Sequence, residues 1–434
     1  MENKSQMTRH IHDYLRQTIG ALSVAFAIAM PVVVGAAGFA VDLSMAHMVK
    51  QRLSNAIDSA ALAAAASAGG SSTAAIQSKV EQFFYKNYPL DKIGATFDLK
   101  VSVSGDDITV SAKSRYDTSF AKFLGVDEMV VSAKTTVTRE ILGLEVAMVL
   151  DVTGSMSTNN NIGALKTAAT NFLNVLCSNS ACSSLVKIGI VPFANTVNVG
   201  PYGLGKNPSG STYDTAFVNN PSNKSFNQSS STQWWGCVLE RSSPQDTQNE
   251  GSGWKWNMYN NSNGGINNGC NKSYVLPLTS VYGTIKAKIT SLAASGNTLS
   301  NIGMVWGYRV LSPEAPFREG AAWNDVTVKK VAILMTDGDN NIGGAYSAYG
   351  EWSTLKLTDR NLDTKLATTC QNMKNDGITI YTITFTSSID TTTKGYFRNC
   401  ASSTDKYYDA PSQTNLLNAF EQIARELSNI HIKS

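Results

Sequence analysis

Histidine is scarce in this sequence: His10, His12 and His47 lie in the amino-terminal region and His431 sits at the tail. No Ser-His-Asp set can be assembled from them, which excludes a triad hydrolase. Cysteine does not occur before Cys177. The six in the chain, Cys177 included, contain no CxxC pair and no histidine at zinc spacing, so a zinc site is excluded. Charge of one sign is lacking too, with 36 Lys and Arg against 33 Asp and Glu and a formal net charge of +3. These charges are scattered, and without a concentrated basic patch there is no nucleic-acid surface. No phosphate-cradling glycine loop, internal repeat or long charged run is present.

What is present divides the chain. An apolar content of 42% supports a sizeable core, and 434 residues exceed one ordinary domain, so one large domain with smaller pieces is expected. Residues 1–18 are polar and carry Lys4, Arg9 and Arg16; residues 19–41 run without a charge. At a helical rise of 1.5 Å that run spans roughly 34 Å, enough to cross a hydrocarbon layer of about 30 Å. It exceeds the usual signal-peptide core of about 7–15 residues, so an uncleaved anchor is preferred over a cleaved signal. The three basic residues place the 1–18 tail in the cytoplasm and the rest outside. Six cysteines in such a compartment are expected to form disulfides, and the simplest pairing is sequential: Cys177–Cys182, Cys237–Cys270 and Cys370–Cys400.

Residues 42–70 continue the helical pattern as a stalk, with Val49, Leu53, Ala56, Ile57 and Ala60 on one face. That Ala-rich face could associate with a partner helix or pack on its own domain. Residues 71–142 read as a small α+β module: a helix over 74–88, alternating strands over 96–104, 108–115 and 129–139, and a short turn of helix closed by Gly125. From 143 to 434 strands alternate with helices, which predicts an α/β fold with a doubly wound parallel sheet. Residues 199–279 depart from this pattern, being rich in Asn, Ser, Gly, Trp and Tyr, and read as a large surface insertion. Its aromatics, Trp234, Trp235, Trp254, Trp256 and Tyr259, either form a binding face or make the insertion's own small core.

The stretch from Val146 to Met156 organises the large domain. A short apolar run reads as a buried parallel strand whose end delivers Asp151, Thr153 and Ser155 together into one loop. In a sheet of this kind ligands sit at the carboxyl ends of the strands, where Thr298 and Asp337 would join them. Two carboxylates and three hydroxyls are hard oxygen ligands that suit a divalent cation, Mg²⁺ first and Ca²⁺ or Mn²⁺ as alternatives. The set is charge-poor, so the ion stays electrophilic and would take an acidic group from a partner as its last ligand. Asp339, Asn340 and Asn341 could add a ligand or simply make a turn.

Asp151-Val-Thr153-Gly-Ser155, Thr298 in Gly296-Asn-Thr-Leu-Ser, and Asp337 in Met335-Thr-Asp-Gly resemble the metal-ion-dependent adhesion site (MIDAS) of the von Willebrand factor A family, with Thr153 replacing the first serine. A second resemblance lies in Ala40-Val-Asp-Leu-Ser, the run from Lys50 to Ala65, Trp235-Gly-Cys-Val-Leu-Glu-Arg241 and Trp306-Gly-Tyr-Arg-Val-Leu-Ser-Pro313. These look like the bacterial TadG proteins of Flp (tight adherence) pilus assembly. The related minor pilins carry a glycine with a glutamate five positions on, whereas Gly20 here is followed by Ala25, which departs from that processing pattern. Together the resemblances imply a single-pass protein of the bacterial inner membrane. Its cytoplasmic amino terminus would be followed by a periplasmic, non-enzymatic binding or adhesion domain that holds a cation and meets an envelope or pilus-assembly protein. Asp151-Val-Thr-Gly-Ser also resembles the aspartyl-phosphate loop of haloacid-dehalogenase-like ATPases, with Asp151 as nucleophile and Asp337-Gly-Asp-Asn340 as second acidic motif. Asn341 then stands where a metal-binding Asp is expected. A metal-independent structural scaffold of the envelope is the third reading.

Overall fold

The computed structural model describes residues 2–67, 73–89, 94–104, 107–138, 143–177, 181–249, 253–259, 265, 267–343, 346–351 and 357–432. The expected glycine-serine end of the stalk (69–72), the centre of the first hairpin turn (105–106) and the expected boundary at 142 lie outside them. The described elements form two compact units, one built from the amino-terminal helices and three strands and the other from residue 143 onward.

The first unit begins with α1 (Glu2–Ser67), one continuous helix that contains Pro31. Among the described residues it is the helix long and apolar enough to cross a membrane, and Val24, Phe26, Ile28, Met30 and Val32 to Val34 are exposed along it. After α2 (Thr73–Asn87) come β1 (Ala95–Ser104), β2 (Asp107–Asp117) and β3 (Glu128–Thr138), an antiparallel sheet in that order. Alternation along β2 buries Ile108, Val110, Ala112 and Tyr116. The stalk's apolar face, Val49, Leu53, Ala56, Ile57, Ala60 and Ala61, is buried, and α1 packs on α2, β2 and β3. Of the two roles open to this face, packing on its own module is the one it performs.

Asp42 ties this unit together. Its buried carboxylate accepts the backbone N–H groups of Ser119 (2.9 Å), Phe120 (2.8 Å) and Ala121 (2.6 Å) and the Tyr116 hydroxyl (3.1 Å). Burial pushes its pKa up, but four donors aimed at the charged form outweigh this and hold it below the usual carboxylate range.

The second unit is a mixed α/β layer structure. Its elements are β4 (Gly143–Asp151), α3 (Asn161–Leu176), β5 (Val186–Phe193), the two-residue pair β6 (Val218–Asn219) and β7 (Trp256–Asn257), and β8 (Leu276–Thr279). Then follow α4 (Tyr282–Ser291), α5 (Ser300–Leu311), β9 (Val328–Thr336) and the small hairpin β10 (Tyr346–Ser347) with β11 (Gly350–Glu351). The unit closes with α6 (Asp359–Asn375), β12 (Thr379–Phe385), α7 (Thr391–Cys400), β13 (Tyr407–Ala410) and α8 (Gln413–Ile432). The main sheet runs β13-β12-β9-β4-β5-β8. Five strands are parallel and β8 pairs antiparallel with β5 at one edge, so the sheet is not the wholly parallel one expected. The edge strand comes from the end of the 199–279 segment, whose last residues therefore belong to the sheet.

Strand alternation divides the core. Leu144, Val146, Met148 and Leu150 face a layer made with α3, α4 and α8; Ala147 and Val149 face one made with α5, α6 and α7. The inserted segment adds to the second layer: Val199, Phe217, Trp234, Trp256 and Met258 join Trp306 of α5 and Phe317 in one cluster, with Trp256 and Trp306 ring centroids 5.2 Å apart. Trp234, Trp254 and Trp256 thus belong to the main core, while Tyr259 and Trp235 pack with the Cys237–Cys270 disulfide in a separate small cluster, so the expected small core holds for part of the segment. The segment is fastened by Glu240 and Arg309, both fully buried, which pair through two contacts of 2.8 and 3.0 Å. These residues stand in the two tryptophan-led stretches, Trp235–Arg241 and Trp306–Pro313, so one ion pair joins the two stretches. Disulfides join Cys177–Cys182, Cys237–Cys270 and Cys370–Cys400.

Candidate functional site

Chain order in the sheet reverses at β4. From β4 the chain moves to β5 on one side, and later from β9 to β12 and β13 on the other. Side-by-side parallel strands whose connections leave in opposite directions open a crevice beyond their carboxyl ends. Asp151 is the last residue of β4 and Asp337 follows the last residue of β9, so the topology brings the two carboxylates to that crevice.

Hydrogen bonds link the cluster. Asp151 Oδ1 accepts the Thr153 backbone N–H (2.8 Å), and Thr153 Oγ1 meets Ser155 Oγ at 2.9 Å. Ser155 Oγ donates to Asp337 Oδ1 (2.6 Å). The other oxygen of Asp151 accepts Thr336 Oγ1 at 2.7 Å and the backbone N–H of Asp337 at 3.4 Å. Thr298 stands at the same cluster without joining this chain: a side-chain carbon built on Gly338 would lie 3.7 Å from its Oγ1. Asp151, Thr153, Thr298 and Asp337 are buried and Ser155 is exposed.

Two neighbouring carboxylates out of water repel. Burial pushes Asp151 above the usual carboxylate range despite its hydroxyl and amide donors. Burial, then the charge of Asp151, push Asp337 up to about 7, against the Ser155 and Asn161 side chains that favour its ionised form. Among the described residues neither carboxylate forms an ion pair with Lys or Arg, and no group of three or more His, Cys, Asp or Glu side chains is assembled. A divalent cation would supply the missing positive charge, and hydroxyl and carboxylate oxygens are the donors it takes. The donor set fits such an ion.

The loops are held by residues that sequence reasoning did not single out. Thr336 orients Asp151 from the end of β9; in Met335-Thr-Asp-Gly it reads only as the last residue of a strand. Asn271 donates to Val152 O (3.1 Å), Ala293 O (3.0 Å) and Ser295 O (3.1 Å), tying the inserted segment to the Asp151 loop and to the loop before Thr298. Gly296 has φ +91°, and its carbonyl accepts the Gly154 N–H at 2.8 Å; a side-chain carbon there would fall 2.5 Å from Asn195 Oδ1. Asn340 accepts the Ser300 N–H (2.7 Å) at the start of α5 and donates to Asp363 (2.8 Å). Asn341 accepts the Gly343 N–H (2.7 Å), and Asp339 accepts the Asp390 N–H (3.3 Å). All three are occupied in turn and capping contacts.

Fold and site together define an α/β unit with an oxygen-lined loop cluster at the carboxyl edge of a mostly parallel sheet. Over residues 20–67 the chain matches the family described as putative Flp pilus-assembly TadE/G-like. No curated protein matches the chain. Solved structures similar to it include the pilus adhesin SpaC of Lactobacillus rhamnosus GG, at 13% identity and a TM-score of 0.39, covering 77% of this chain and 36% of the adhesin. The vWF domain of the type V pilus tip protein Mfa5 of Porphyromonas gingivalis has 12% identity and a TM-score of 0.38, covering 67% of this chain and 96% of that one. Proximal thread matrix protein 1 of the mussel byssus, in a structure with a zinc-occupied MIDAS motif, has 15% identity and a TM-score of 0.35, covering 66% and 46%. The chain thus spans about a third of the length of SpaC.

Proposed function

We propose that this chain is a membrane-anchored, extracytoplasmic, non-enzymatic binding protein of Flp-type pilus assembly. In this reading the second unit is a doubly wound, von Willebrand factor A-like domain with an antiparallel edge strand. Asp151, Thr153, Ser155, Thr298 and Asp337 hold a divalent cation, Mg²⁺ first. The ion presents a positive, incompletely ligated face to an acidic side chain of an envelope or pilus protein. One observation carries the proposal: the continuous contact chain from Asp151 through Thr153 and Ser155 to Asp337 across the β4/β9 crevice, with two buried carboxylates and no basic partner among the described residues. The match at residues 20–67 supports the pilus setting, and the long apolar helix supports the anchor. The 1–18 tail would then be cytoplasmic and the bulk of the chain periplasmic.

The phosphohydrolase alternative asks Asp151 to attack a phosphoryl group. Its carboxylate is fully buried and both oxygens accept hydrogen bonds, which is the setting of a held ligand rather than a free nucleophile. The metal-independent scaffold differs from the proposal in one measurable quantity. Calorimetric titration of the purified chain with Mg²⁺, Mn²⁺ and Ca²⁺, beside Asp151→Ala, is expected to give one binding event in the parent and none in the variant. A folded parent that binds none of the three ions would leave the scaffold reading in place.

A further inference from the structure

The first unit exposes an apolar turn that the binding reading does not use. Phe123 is 80% exposed, Leu124 64% and Phe120 45%, all within one short turn that also carries Lys122. Large apolar side chains this exposed and contiguous mark a surface that meets something other than water. Their place is fixed by α1. Asp42 holds the backbone of residues 119–121, and Phe120 lies against Gly38, where a side-chain carbon would fall 2.7 Å from the Phe120 Cβ. Gly38 and Asp42 are one helical turn apart, at the end of the apolar run 19–41.

We propose that the Phe120–Leu124 turn is a membrane foot: Phe120, Phe123 and Leu124 enter the boundary between headgroups and acyl chains of the bilayer that α1 crosses. The occupant follows from continuity, since the turn is fastened to the last helical turn of the apolar run and so lies at the depth where that run leaves the hydrocarbon. Aromatic side chains are favoured at that depth, and a lysine can rest its stem on them while its ammonium reaches the headgroups; Lys122 Nζ lies 5.7 Å from the Phe123 ring centre. Asp42 contributes by spending its charge on backbone N–H groups instead of exposing it to the interface. The foot would fix the depth of the helix and the tilt of the first unit on the membrane.

This inference rests on residues 19–41 being a membrane span, and the experiment separates the two. All six native cysteines are in disulfides, so a single introduced cysteine takes a nitroxide label selectively. Full-length Phe123→Cys, Leu124→Cys and Val32→Cys chains are labelled and reconstituted in phosphatidylethanolamine–phosphatidylglycerol vesicles. Accessibility to oxygen and to a water-soluble nickel chelate is then read by electron paramagnetic resonance. The expected result is a deep label at 32 and interfacial labels at 123 and 124, with several-fold loss of chelate collisions relative to Lys100→Cys. Val32 deep with 123 and 124 as open to the chelate as 100 would overturn the foot while leaving the anchor standing. A label at 32 that is itself open to the chelate would overturn the anchor and the foot with it. Labels at 123 and 124 that are immobilised yet open to the chelate would mean a protein surface covers the turn, and the foot would again fall.

Discussion

Replacing Arg309 with methionine tests how the inserted segment is held. The guanidinium makes two bonds to Glu240 (2.8 and 3.0 Å) and one each to Gln245 O (3.0 Å) and Gln248 O (3.3 Å). It also lies 5.0 and 4.8 Å from the Trp256 and Trp306 ring centres. Methionine fills much of that space but leaves the Glu240 carboxylate buried with, among the described residues, only the Arg241 N–H (2.8 Å) and Trp256 Nε1 (3.2 Å) as donors. Removing one partner of a buried pair costs about 3–5 kcal/mol, because the other charge stays uncompensated. The apolar pair Glu240→Leu with Arg309→Met removes both charges and leaves mainly the two glutamine carbonyls unsatisfied, about 1–3 kcal/mol. The double variant should therefore be more stable than Arg309→Met alone, with a coupling of at least about 2 kcal/mol. Urea unfolding read by tryptophan fluorescence suits the test, since Trp256 and Trp306 flank the pair. A single-variant cost below about 1 kcal/mol, or a double variant equal to the sum of the singles, would refute the fastening role.

Asp337, pushed up to about 7, binds its proton more tightly in the folded chain than in the unfolded one. In chelator its contribution to stability is full below about pH 4 and is lost as the pH rises towards 7. Asp337→Asn should flatten that slope in urea midpoints measured across the range, and an unchanged slope would count against the buried carboxylate pair. Lys288, buried against the Tyr274 ring and pushed down to about 7, has the opposite profile: stability should rise from pH 7 towards about 10 as the unfolded chain alone keeps the proton. Lys288→Met should be more stable than the parent at pH 7 and lose that rise, which thermal unfolding at two pH values would reveal. Cys237→Ala with Cys270→Ala opens a link between residues 33 apart. Loop entropy puts the loss at roughly 3.7 kcal/mol, to be compared with the measured urea stability.

Local patterns in the sequence predicted well wherever one segment carries its own signal. The apolar run ending at Asp151 and the spacing of Thr153 and Ser155 lie within one strand and its loop, and the helix face from Val49 to Ala60 repeats at helical period. Contacts between distant segments left no such trace. Thr336 looks like any strand threonine until β9 lies beside β4 and its hydroxyl meets Asp151. Glu240 and Arg309 are an ordinary acid and base until the inserted segment folds over α5. The four residues of β13 and the four of β8 are too short to show a period, and β8 ends a stretch whose composition reads as loop. Asp42 sits where a membrane run meets a stalk, and its purpose appears only when the turn of residues 119–121 comes to it.

Asn271 bears on how this unit could have been built. A segment acquired late by a finished domain can usually be cut out again, leaving the host whole. Here one amide inside the segment holds the carbonyls of Val152, Ala293 and Ser295, and the segment's last residues supply a strand of the sheet. Any shortened relative that keeps the same loop geometry must carry a substitute for both, so deletions in this lineage should stop before Cys270 and never begin after it.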